Sequence, residues 1–73
     1  SFDLEIIPQY LRESKESKKV ITRLSRLIRI PEAEIQATLD KYRHQPAFMP
    51  VKIKEDLSRD EVAAVESWKI DMP

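Results

Sequence analysis

Pro31 most limits how this chain can fold, because it stands between two stretches of helical period. Val20, Leu24, Leu27 and Ile28 recur at i, i+4, i+7 and i+8, which is one face of a helix. Proline disfavours helical geometry in the residue before it, so that helix ends at or before Ile30. Ser14 is a plausible N-cap at its other end, with Glu16 in the first turn. Pro31 is also well placed as the first residue of a second helix, with Glu32 and Glu34 at its positive end. Ile35, Leu39 and Tyr42 repeat at i, i+4 and i+7 along it. The spacing therefore predicts two helices joined by almost no loop.

Strands are expected on either side of this pair. Phe2, Leu4 and Ile6 alternate with Asp3 and Glu5, a period of two that reads as a half-buried strand ended by Pro8. Residues 9 to 15 read as a polar transition, and residues 43 to 50, with two prolines, as a connection. Val51 and Ile53 alternate with Lys52 and Lys54, predicting a second strand with a charged outer face. Ser58 and Glu61 have the spacing of a capping box, flanked by Leu57 and Val62 as a hydrophobic staple. A third helix is expected from there to about Ser67, carrying Val62, Val65 and Trp68, and Ile70 with Met72 predicts the start of another strand. The expected class is α+β, with a small sheet of two or three short strands packed by three helices. Residues 1 to 73 form one subdomain.

Composition excludes several chemistries. There is no cysteine, hence no disulfide framework, thiol nucleophile or thiolate metal site. There is no glycine, hence no glycine loop to cradle a phosphate. No run approaches the roughly 18 apolar residues of a spanning helix. The chain opens at Ser1 with neither an initiator Met nor a basic leader, so no signal peptide is expected, and both ends read as cut from a longer chain.

No catalytic, cofactor-binding or metal-binding residue is expected. His44, the only histidine, lies in a proline-flanked connection and lacks a suitably spaced partner. The acidic pairs Glu55-Asp56 and Asp60-Glu61 stand at the start of the third helix, where they serve its dipole. None of Ser14, Ser17, Ser25, Ser58 or Ser67 has a lysine three residues on, so no Ser-x-x-Lys nucleophile is present. Phe2, Tyr42 and Trp68 sit on apolar stripes and are expected in the core. Phe48, between prolines, is expected to pack under its loop, with an exposed anchor for a partner as the rival role.

Charge is uneven although the whole is neutral. Residues 1 to 30 hold seven bases and four acids, a balance of +3, and residues 31 to 73 hold six bases and nine acids, a balance of −3. Six of the bases, Lys15, Lys18, Lys19, Arg23, Arg26 and Arg29, fall on or beside the first of the paired helices, on the flank away from its apolar face. A nucleic-acid-binding module using that helix is the alternative function, opposed by the neutral chain and acidic second half.

Taken in order, the segments resemble a known family. Ser1-Phe2-Asp3-Leu4-Glu5-Ile6-Ile7-Pro8, the joint Leu27-Ile28-Arg29-Ile30-Pro31-Glu32, the strand Pro50-Val51-Lys52-Ile53-Lys54 and Leu57-Ser58-Arg59-Asp60-Glu61-Val62-Ala63 resemble the region shortly after the membrane anchor in class B penicillin-binding proteins. Ile70-Asp71-Met72-Pro73 matches the place where that family continues with Gly-Val and another strand. The penicillin-binding protein 2 group, which serves cell elongation, is the most similar. The resemblance covers essentially all 73 residues, and its specificity lies in order and spacing rather than in any one motif.

What the resemblance implies is a piece of the non-catalytic pedestal, or dimerisation domain, of a peptidoglycan transpeptidase. Such a parent is anchored in the bacterial inner membrane and faces the periplasm. The implied partners are proteins of the elongation machinery, a glycan polymerase and a membrane-linked scaffold protein, or a second copy. No nucleic acid and no cofactor is implied, and the membrane is met only through the parent's anchor. The chain carries no transpeptidase motif, so no catalytic residue of the family maps onto it. The expected interface residues are Tyr10, Phe48 and Trp68, with Arg23 and Arg26 as rim charges.

Overall fold

The computed structural model describes residues 1 to 71, the last two by backbone alone. Alternation at the start yields β1 (Leu4–Ile6), whose Leu4 and Ile6 are buried while Glu5 is exposed. Pro8 does not merely end the strand. It opens a helix, α1 (Pro8–Glu13), where the sequence reads as a polar transition. Proline suits the first helical position because its missing N–H needs no partner there. One turn and a half with no buried residue leaves no periodic signal to read. The helix is fastened by the Gln9 N–H to the Ala47 carbonyl at 2.9 Å and by partly buried Leu11 against the core.

The basic helix, α2 (Ser17–Ile28), begins two residues later than the Ser14 cap predicts. Ser14 does accept a hydrogen bond, from the Glu16 N–H at 3.1 Å, but in a turn ahead of the helix; Glu16 is the N-cap. Its buried stripe is Ile21, Leu24 and Ile28. Val20 and Leu27, expected at the centre, are partly buried at the margins, and Ile21 takes the inner place. The helix closes without glycine. Arg29 adopts a left-handed conformation (φ 59°, ψ 41°), and the Ile30 N–H reaches back to the Ser25 carbonyl at 3.1 Å. That six-to-one bond is the Schellman closure, usually made by glycine because a Cβ costs energy there.

Pro31 is the N-cap of α3 (Glu32–Lys41) rather than its first residue. Ile35 is fully buried, Leu39 packs at the edge of the core, and Tyr42, at the C-cap, is about one-third exposed. Thr22 donates to Glu32 Oε1 at 2.8 Å and so ties α2 to α3 across the joint.

β2 (Val51–Lys54) pairs antiparallel with β1, completing a two-stranded sheet. Ile6 faces Val51 and Glu5 faces Lys52, but Leu4 faces Lys54, so one extra residue, Ile53, is accommodated in β2. Such a bulge re-aims the side chains beyond it. Lys54 therefore turns inward beside Leu4, where simple alternation predicts it outward. α4 (Arg59–Asp71) is longer than the sequence implies. Ile70, expected in a new strand, continues this helix; Met72 lies outside the described residues. Leu4, Ile6, Ile21, Leu24, Ile28, Ile35 and Val65 form the core between the sheet and the helices. The α+β class thus stands, with four helices rather than three and two strands among the described residues.

Candidate functional site

Two surface features emerge from this packing. The first is an apolar groove of about 590 Å³. It is touched by Leu4, Glu5, Ile6 and Ile7 in succession, residues from both faces of β1, and by no residue of β2. It therefore runs along the unpaired edge of β1. Its floor comes from Val20 and Leu24 of α2 and Val65 of α4, and its walls from Tyr10 of α1 and Trp68 of α4. Alternation puts Leu4 and Ile6 on the groove's inner side, and the four-residue rise of α2 stacks Val20 on Leu24.

The second feature is a shallow depression on α2, lined by Lys15, Lys18, Lys19, Arg23 and Arg26 together with Glu16, Ser17 and Thr22. Five cations crowd here, yet among the described residues only Lys19 has a carboxylate within 4 Å, Glu16 at 3.9 Å, and both are exposed.

The structure thus brings Tyr10 to Trp68 and Arg23 to Arg26, and separates the pairs. Tyr10 is 68% exposed, whereas Trp68 is partly buried against the core, as its stripe predicts. Phe48 borders neither feature. It is 67% exposed, against the expectation that it packs under its loop. Phe2, expected in the core, is equally exposed, because β1 begins only at Leu4 and Phe2 lies beyond the pairing. The Leu57 N–H nevertheless holds the Phe2 carbonyl at 2.8 Å.

A partly buried ionic junction ties β2 to α4 and to the end of α2. Lys54 Nζ donates to Glu61 Oε2 at 2.7 Å and to the Ile28 carbonyl at the end of α2 at 2.8 Å. Glu61 Oε1 accepts the Ser58 N–H at 2.9 Å, and Ser58 Oγ accepts the Glu61 N–H at 3.1 Å, which is the capping box in full. Lys54 and the Ser58 N–H together hold the Glu61 carboxyl below its ordinary range. Glu61 shares the inner face of α4 with Val65 and Trp68, four and seven residues on, so a cap residue is also part of the interior. The capping-box spacing reveals the cap; the ion pair needs the bulge in β2 and has no sequence signal.

Nearer the chain start, the Asp56 N–H binds Asp3 Oδ1 at 3.0 Å and Lys52 approaches Asp3 at 3.4 Å. These contacts lower the Asp3 carboxyl, the Asp56 bond foremost. Lys52 also bonds Glu55 at 3.3 Å, and Glu55 first and Asp3 second raise its ammonium. His44 is exposed. Among the described residues no group of three or more His, Cys, Asp or Glu side chains could hold a metal ion, and no helix is long and apolar enough to cross a membrane. What the described geometry offers is surface for binding, in a groove and a cationic patch.

No family model, curated protein or solved structure matches this chain.

Proposed function

We propose that the chain is a non-catalytic interaction and positioning subdomain from the pedestal of a class B penicillin-binding protein of the elongation group, acting on the periplasmic side of the inner membrane. One observation carries this reading: four short segments resemble that family in order and spacing across the whole chain. Ser1 to Pro8 contains β1, Leu27 to Glu32 is the α2–α3 joint, Pro50 to Lys54 contains β2, and Leu57 to Ala63 holds the capping box of α4. The exposed groove with Tyr10 and Trp68, and the patch with Arg23 and Arg26, supply surfaces through which such a subdomain meets protein partners.

The test is a titration of the chain with the periplasmic part of the elongation scaffold protein or of the glycan polymerase. Saturable binding is expected, weakened by Arg23→Glu with Arg26→Glu. Affinity unchanged by that reversal counts against the patch. Covalent labelling of the isolated chain by a β-lactam refutes the non-catalytic reading.

A further inference from the structure

We propose that the cationic flank of α2 docks a short acidic polypeptide segment. This rests on reading the chain as an interaction module, though not on its family. A helix that merely faces water mixes charge signs, because opposite charges three or four residues apart stabilise it. Within Ser17–Ile28 there are Lys18, Lys19, Arg23 and Arg26 and no aspartate or glutamate. Lys19 and Arg23 are like charges four apart on α2, and Arg23 and Arg26 are three apart. Such pairs disfavour the helix they stand on.

Of the four lysines elsewhere in the molecule, three find carboxylates, and Lys41 instead lies over the Tyr42 ring. Lys52 pairs with Asp3 and Glu55, Lys54 with Glu61, and Lys69 with Glu66. On α2, among the described residues, the sole pair is Lys19 with Glu16. The nearby Glu32 carboxylate accepts from Thr22 instead. The flank therefore keeps an uncompensated positive charge whose complement is an acidic surface.

Geometry narrows the partner. Lys19, Thr22 and Arg26 stand at i, i+3 and i+7, a straight row, with Lys18 and Arg23 on either side. Lys18 to Arg26 spans about 12 Å at ~1.5 Å per residue, so two turns of an acidic helix or a short acidic strand cover it. Every side chain lining the depression is charged or carries a hydroxyl, so the flank has nothing apolar to sink into a bilayer boundary. It holds no aromatic ring on which a base would stack.

The experiment is an NMR titration of the isotope-labelled chain with a synthetic acidic helix of about 20 residues, long enough to be helical in water. Parallel arms use a DNA duplex, vesicles of acidic phospholipid and a neutral peptide of matched length. Amide shifts confined to residues 15 to 26 are expected with the acidic helix. Affinity should fall at least ~10-fold between low and high salt, where the screening length shrinks. Lys19→Glu with Arg26→Glu should abolish binding, and Lys19→Gln with Arg26→Gln should weaken it should the reversal disturb folding, checked by circular dichroism. Absence of shifts, shifts that survive both double variants, or tighter binding to duplex or vesicles overturns the inference. Scaffold binding without acidic-peptide binding sinks this proposal alone; the converse sinks only the family reading.

Discussion

Ile28→Ala tests whether the end of α2 is the centre of the fold. Ile28 is fully buried, and its own carbonyl receives the Lys54 ammonium, so side chain and backbone both anchor the element junction. Alanine removes roughly three carbons, worth about 0.8 kcal/mol each in transfer alone, or about 2.4 kcal/mol in total. Ile21, Leu24 and Ile35 surround the site on short helices held by the Thr22–Glu32 and Lys54–Glu61 bonds, which limit collapse into the void. A cavity term is therefore added, for a loss of about 3 to 4 kcal/mol, inside the range of about 2 to 5 kcal/mol for such truncations. In a domain this small each kcal/mol moves the melting midpoint by roughly 4–8 °C, so a fall of at least about 12 °C is expected. Urea and thermal unfolding followed by far-ultraviolet circular dichroism measure it, with the urea slope expected unchanged. Tyr10→Ala, on a side chain 68% exposed, is the control and should move stability by less than about 0.5 kcal/mol. A loss below about 1 kcal/mol at Ile28, or an equal loss at Tyr10, refutes the packing described.

Four further outcomes are expected. Arg29→Gly should raise stability by about 1 kcal/mol in urea melts, because it relieves a left-handed backbone that disfavours any Cβ, less the extra freedom glycine has when unfolded. The Glu61 and Asp3 carboxyls are held below their ordinary values of 4.5 and 3.8, so their stabilisation is complete above those values and drains away as acid carries the pH down through the lowered ones; Glu61→Gln should flatten the acid limb of a stability–pH curve. Lys52 acts in the opposite sense: its stabilisation is complete below 10.5 and lost as the pH rises through its raised value, so Lys52→Met should remove an alkaline loss and leave the acid limb from Glu61 in place. Phe48→Ser should leave stability within about 0.5 kcal/mol, whereas Trp68→Ala, stripping a ring packed on the core, should cost about 2 kcal/mol or more by the same unfolding assay.

Much of the fold is legible in local chemistry. The capping box at Ser58 and Glu61 is made by residues three apart, so its spacing suffices to find it. The helix pair around Pro31 follows from the restriction that proline places on its neighbour. Alternation marks β1 and β2, and seven of the first thirty residues being basic already isolates the cationic flank. α1 escapes this reading because six residues hold too few apolar positions to show a period.

The groove and the ionic junction have a different origin. Tyr10, Val20 and Trp68 lie on three helices, and they border one groove only because β1 seats α1 beside α2 and α4. Lys54 reaches Glu61 and Ile28 only because one extra residue in β2 turns it inward, and that bulge depends on how two strands 45 or more residues apart come into register. Phe2 and Phe48 show the same limit from the other side: apolar composition cannot say whether a partner surface arrives to cover a ring, and here none of the described elements does. Periodicity, capping and charge are properties of neighbours along the chain. Which faces meet, and which remain open to a partner, depends on packing between residues distant along it, the part of the free energy that no local window contains.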